Sequence, residues 1–191
     1  MNSVPARAVV IGASAGAVEA LSTILPSLPA GFELPIVIVV HVPPDRRSII
    51  ADLFQAKCQL AVREAEDKEP LAAATVYFAP PDYHLLIEAD RSLSLSNDDP
   101  VLYSRPSIDV LFESAADAYG PDLVAIVLTG ANHDGANGLR AVVDAGGTAI
   151  VQNPDNAFAP AMPEAALELC PEARVLQLPA IGDYLRSEMS P

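Results

Sequence analysis

Three short stretches of this sequence carry residues whose types and neighbours suit acyl-transfer chemistry. In Gly12-Ala13-Ser14-Ala15-Gly16 a serine stands between an apolar run and a segment of helical spacing, which fits the pattern G-x-S-x-G. Small residues on both sides permit a tight strand-to-helix turn that presents the hydroxyl at the edge of a sheet, where backbone N–H groups of the turn can receive an oxyanion. His41 follows the apolar run 36–40 and precedes Pro43 and Pro44. Asp134 lies in residues 128–136, where another apolar run gives way to a helical segment. A serine hydrolase needs these three groups: a nucleophile, a base that takes its proton, and a carboxylate that holds the base in one tautomer and stabilises the imidazolium. Each also has a plain structural reading. Ser14 and Asp134 both precede helical segments, where Ser and Asp are preferred N-caps, and a histidine at a strand end is ordinarily a satisfied structural residue.

The elements that must position them follow from periodicity. Runs rich in Val and Ile at 8–11, 35–40, 123–128 and 148–151 read as buried parallel strands, and 18–28, 48–57, 107–118, 135–145 and 163–169 carry helical spacing. This alternation predicts an α/β fold, a three-layer, doubly wound and mostly parallel sheet covered on both faces. Parallel strands end on the same edge, so Ser14, His41 and Asp134 all project from the carboxyl edge, where such sheets bind ligands. The middle of the chain departs from the pattern. Short runs at 75–79, 84–88 and 92–95, separated by Pro80-Pro81 and by an Asp90-Arg91 turn, predict an antiparallel excursion at the sheet edge.

Composition narrows the function classes. A chain of 191 residues, 51% hydrophobic and 19% charged, fits a single domain over 1–191 with a sizeable core. The longest apolar stretches, 34–40 and 123–128, fall far short of the roughly 20 residues that a membrane helix needs, so no membrane insertion is expected. No secretory signal is visible at the start, and a cytoplasmic location follows by default. Cys58 and Cys170 fit inert thiols in a reducing compartment. Acidic residues outnumber basic ones 25 to 11, and a net charge of −14 argues against nucleic acid as a partner. His41, His84 and His133 lack the close spacing of metal ligands, so neither a metal nor another cofactor is expected. His84, in a strand-like run, reads as a half-buried structural histidine.

The order Ser, His, Asp differs from the Ser, Asp/Glu, His order of the α/β-hydrolases that G-x-S-x-G first suggests. Residues 11–16, 40–44 and 128–136 resemble instead the catalytic domain of the CheB-type chemotaxis-receptor methylesterases, and 76–85 and 105–112 look like further signatures of that family, in order along nearly the whole chain. The resemblance implies hydrolysis of glutamyl methyl esters on the cytoplasmic domain of methylated chemoreceptors, often with deamidation of receptor glutamines, by Ser14, His41 and Asp134. It implies backbone oxyanion donors or cleft walls at Ala15 and Ala131, and sets His133 beside the triad. Many members have Thr and two glycines after the serine, where this chain has Ala15, Gly16 and Ala17, and Met-Gly-Asn where it has Ala131, Asn132 and His133. Arg105 reads either as a cleft residue for an acidic receptor surface or as a surface arginine beside Pro106. Full-length members usually carry an N-terminal receiver domain; nothing of that kind precedes Val9, which fits either a stand-alone esterase of a chemotaxis-like pathway or a chain expressed without that domain, with a separate receiver protein as a candidate partner.

Two other readings are weighed against this. A Gly-rich turn after a first strand also holds a dinucleotide pyrophosphate, but the second glycine of G-x-G-x-x-G is replaced by Ser14 and the second strand ends in His41 rather than an acidic residue. A catalytically inactive signalling module of the same fold is compatible with Ala131 and His133, whereas the intact triad residues favour an enzyme.

Overall fold

A computed structural model describes residues 6–41 and 49–187. The first apolar run forms β1 (Ala8–Ala13), buried at every position, and residues around it build a seven-stranded, all-parallel sheet. Its other strands are β2 (Ile36–Val40), β3 (Ala61–Glu64), β4 (Thr75–Phe78), β7 (Leu123–Val127), β8 (Thr148–Gln152) and β9 (Arg174–Leu176), in the order β3-β4-β2-β1-β7-β8-β9. Central strands read as continuous hydrophobic runs because both faces are covered. Successive side chains point to opposite faces, which divides the core in two. Val10, Val37, Val39 and Ala125 pack with α3 (Ile108–Tyr119), α4 (Ala136–Asp144) and α5 (Ala161–Leu169). Val9, Ile11, Ile36 and Ile38 pack with α1 (Ala17–Ile24), α2 (Ile50–Gln55) and α6 (Leu178–Ser187).

The α/β fold with helices on both faces is as expected, and the antiparallel element exists, but its extent and place differ. Residues 75–78 form β4, an interior parallel strand between β3 and β2. Among the strands of the described residues, β5 (His84–Ile87) and β6 (Leu93–Ser96) alone pair antiparallel, as a separate two-stranded sheet. That hairpin is tied to α3, whose Ser114 hydroxyl accepts from the Ile87 N–H at 3.1 Å. Pro43, Pro44, the expected helix start at residue 48 and the end of the chain at 188–191 lie outside the described residues. Among those described, no helix is long and apolar enough to cross a membrane.

The sheet reverses its winding at β1, since β2 lies on one side and β7 on the other. The crevice at the carboxyl ends of these three strands is where ligands of such sheets bind. Register carries the chain to it: Ala13 pairs with Val40 and Gly12 with Val127, and the next residues are Ser14, His41 and the turn that leads to Asp134.

Candidate active site

The turn after β1 is built by backbone bonds and one glycine. The Ser14 N–H donates to the Thr129 carbonyl at 2.9 Å, and the His41 N–H to the Ala13 carbonyl at 3.2 Å. Gly16 caps α1 with φ +84, and a Cβ there would lie 2.7 Å from the Phe158 Cβ. A side chain is therefore excluded by both strain and space. The Thr129 hydroxyl donates to the Ala15 carbonyl at 2.8 Å and accepts from the Ala159 N–H at 2.9 Å, which fastens the turn to the segment before α5. The Gln152 side chain accepts from the Thr129 N–H at 2.9 Å. The Ser14 side chain caps no helix. Among the described residues its hydroxyl makes no hydrogen bond, and the Ala15 and Ala131 N–H groups donate to no acceptor.

His41 Nε2 lies 2.7 Å from Asp134 Oδ2. Asp134 is fully buried, and its carboxylate accepts from four donors. Oδ2 takes the His41 ring and the Ile108 N–H at 2.7 Å; Oδ1 takes the Ser107 hydroxyl and the Asp109 N–H, both at 2.9 Å. Burial pushes this carboxyl up, but the bonds from His41 and from the Asp109 and Ile108 N–H groups outweigh it and hold Asp134 below the ordinary carboxylate value. The aspartate does not cap the helix that follows it. It caps α3, whose positive N-terminal end favours the anion.

The cap of α4 comes from α3 in return. Asp109, 4% exposed, accepts through Oδ1 from the Gly135 N–H at 2.9 Å and the Gly138 N–H at 2.7 Å. Burial raises the Asp109 carboxyl, the Gly138 bond opposes this, and the Asp134 charge adds to it. The two helix starts thus exchange carboxylates. Their close approach depends on Gly138, where a Cβ would lie 2.9 Å from the Asp109 Cα.

Sequence reasoning missed Ser107, Asp109 and Asn132. Asn132 Oδ1 accepts from the Asp134 N–H at 3.2 Å, and its Nδ2 lies 3.3 Å from His41 Nδ1. The Asx pattern two residues before Asp134 was the available signal for this residue. For Asp109 the only signal was an acidic residue at the second position of a helix, which is common.

Ser14 and His41 line one open groove of ≈ 500 Å³ with Val18, Glu19 and Ile50. A cleft of ≈ 300 Å³ adjoins it at Gly16 and Glu19 and continues past Phe158, which is 76% exposed. His133 is exposed, and every acceptor position of Asp134 is already taken, so His133 has no place on that carboxylate. Arg105 is not free for a ligand: its guanidinium donates to Asp82 Oδ1 at 2.6 and 3.1 Å and to the Asn97 and Asp98 carbonyls at 3.0 Å, clamping two loops. His84 is buried, with Nδ1 accepting from the Ser107 N–H at 3.1 Å and Nε2 facing the Asp99 carbonyl at 3.1 Å. It is structural, and it positions the serine that holds Asp134.

The sequence and the fold both resemble those of known proteins. The sequence matches the family model described as CheB methylesterase over residues 9–185. A protein of Leptospira interrogans (strain Fiocruz L1-130), named putative protein-glutamate methylesterase/protein-glutamine glutaminase, is 46% identical over 177 residues, covering 93% of this chain and 92% of that protein. A Symbiobacterium thermophilum protein, named protein-glutamate methylesterase/protein-glutamine glutaminase, is 35% identical over 96% of this chain but only 51% of its own length, so this chain spans about half of that longer relative. The crystal structure of the Thermotoga maritima CheB methylesterase catalytic domain superimposes with a TM-score of 0.92 at 34% identity, covering 97% of this chain and 100% of that one. With the family matched along nearly all of its length and the same fold beneath it, the chain belongs to the CheB methylesterase family.

Proposed function

We propose that this protein hydrolyses methyl esters of glutamyl side chains on chemoreceptor cytoplasmic domains, and deamidates receptor glutamines, with Ser14 as nucleophile, His41 as base and Asp134 as its orienting carboxylate. The observation that carries this reading is the 2.7 Å contact of His41 Nε2 with a buried, four-fold hydrogen-bonded Asp134, beside a serine whose hydroxyl caps nothing among the described residues. An ionised Asp134 accepts a hydrogen bond from the Nε2–H group, which keeps the proton on Nε2 and leaves the lone pair of Nδ1 as the base. Ser14 Oγ adds to the ester carbonyl as Nδ1 takes its proton. The oxyanion is received by the Ala15 and Ala131 N–H groups. As the tetrahedral centre collapses, methoxide takes the proton from Nδ1 and leaves as methanol. Water then attacks the glutamyl–Ser14 ester by the same route, releasing the carboxylic acid and the free serine. A glutamine would give the same acyl-enzyme with ammonia as the leaving group. The substrate is a cytoplasmic one on this reading, and a receiver, as a separate protein, is the proposed regulator.

The test is methanol release from a methylated receptor fragment, together with mass mapping of a fluorophosphonate label. The expected result is a label on Ser14 and loss of both signals in Ser14→Ala. That variant should melt close to the wild type, because the hydroxyl it removes bonds no described group. Near wild-type hydrolysis by Ser14→Ala, or a label on another residue, would end the assignment.

A further inference from the structure

The base nitrogen of His41 already has a partner. Asn132 Oδ1 accepts from the Asp134 N–H at 3.2 Å, which fixes the amide so that its Nδ2 faces His41 Nδ1 at 3.3 Å. Reversing the amide would set its NH2 against a backbone N–H that can only donate. On the other side of the ring Nε2 lies 2.7 Å from the Asp134 carboxylate and must carry the single proton of a neutral imidazole. Nδ1 is therefore the acceptor, and Asn132 donates to it.

We infer that Asn132 is a latch on the resting site: it occupies the lone pair that Ser14 must use, and has to let go before the serine reacts. An imidazole nitrogen has one in-plane lone pair, so the Ser14 hydroxyl and the Asn132 amide compete for it. The Ser14 hydroxyl makes no hydrogen bond among the described residues, while the Asn132 contact is made. Once Nδ1 holds the serine proton it becomes a donor, and the amide facing it is also a donor. The contact thus exists in the ground state and is lost in the transition state. An interaction of that kind slows the chemical step, since only groups that bind the transition state more strongly accelerate it. A residue whose role was merely to hold His41 in place would have the opposite sign, because its loss would lower the rate. The inference rests on the hydrolase reading given above.

The experiment measures the second-order rate of fluorophosphonate labelling at Ser14, and hydrolysis of a methyl-glutamyl peptide, for the wild type, Asn132→Gly and Asn132→Ser. The serine variant keeps a short acceptor for the Asp134 N–H but does not reach His41. Both variants should react faster, by about 2- to 12-fold, the range set by the net worth of one ordinary hydrogen bond. The His41 ring nitrogens are followed by 15N NMR: Nδ1 should read as an unprotonated, hydrogen-bonded nitrogen in the wild type and shift towards a free acceptor in both variants. Equal or slower labelling by variants with unchanged circular dichroism and thermal midpoint would overturn the latch, as would an unchanged Nδ1 resonance. A wild type that the probe does not label at Ser14 would remove the hydrolase reading itself and the latch with it, a result distinct from labelling at equal rates.

Discussion

Asp109→Ala against Asp109→Asn tests whether the exchange of carboxylates between α3 and α4 holds the site together. In the wild type one oxygen of Asp109 takes the Gly135 and Gly138 N–H groups at 2.9 and 2.7 Å, at a position 4% exposed. Alanine leaves both donors without an acceptor. An orphaned buried N–H costs about 1–3 kcal/mol, and fraying of the first turn of α4 relieves part of it, so the loss should be about 2–4 kcal/mol. For a chain of this size that lowers the melting midpoint by about 4–16 °C. Asparagine keeps an oxygen for the same two N–H groups and removes a charge that burial and Asp134 both disfavour, so its loss should stay below about 1 kcal/mol. Thermal and urea unfolding of the three proteins followed by circular dichroism gives the comparison, with ester hydrolysis measured alongside. Gly135 is the neighbour of Asp134, so activity should fall more in the alanine variant than in the asparagine one. An alanine variant within 1 kcal/mol of the wild type, or an asparagine variant as damaged as alanine, would show that the cross-capping is not what holds these helix starts.

The same pair gives opposite slopes in pH. The Asp134 carboxyl is lowered in the folded state, so its stabilisation is full above the unfolded value, near 3.9 for an ordinary Asp, and is lost as pH falls through its lower folded value. The Asp109 carboxyl is raised, so the folded state holds its proton longer, and stability falls as pH rises from the ordinary Asp value through the raised one. Asp109→Asn should therefore gain on the wild type across that upper window and keep a constant offset from it above; parallel stability curves within the window would contradict the assignment. Arg105→Ala should lower the melting midpoint by a few degrees, because four donated bonds between the 82 and 97–98 loops are lost, while KM for a methylated peptide stays unchanged. A raised KM at an unchanged midpoint would restore the substrate role that the sequence suggested.

What could be read from the sequence was set by how much each segment buries. β1, β2, β7 and β8 are apolar on both faces, and α1, α3 and α4 carry a clear buried stripe, so the strand ends that hold Ser14, His41 and Asp134 were legible. β3 and β9 were not, because as edge strands they bury little: Val62 is the one buried residue of Ala61–Glu64, and Arg174 and Val175 are exposed. α6 was hidden by Pro179 and Gly182, residues that usually interrupt a helical pattern. β4 was visible as a strand, but its direction depends on which neighbours it finds, and periodicity carries no information on that. The bonds around Asp134 were illegible for a related reason. Its partners, apart from His41, are the Ser107 hydroxyl and two main-chain N–H groups of a helix start far away in the chain, and a backbone donor leaves no mark on residue type.

The strand order has a consequence for how activity arises during synthesis and refolding. β3, β4, β2 and β1 come from the chain before residue 79, and β7, β8 and β9 from the chain after residue 122. The proposed nucleophile and base belong to the first stretch and the proposed orienting carboxylate to the second, with His41 and Asp134 separated by 93 residues. The seam between β1 and β7 therefore runs through the site. Neither stretch holds all three proposed residues, so on that proposal a nascent or half-folded chain should hydrolyse none of the esters around it. Closing that seam is a long-range pairing, the slow kind in folding because the loop entropy must be met first. Hydrolysis then returns on refolding only at the pace of that closure, later than the helix signal, which makes the enzyme a reporter of its own completed assembly.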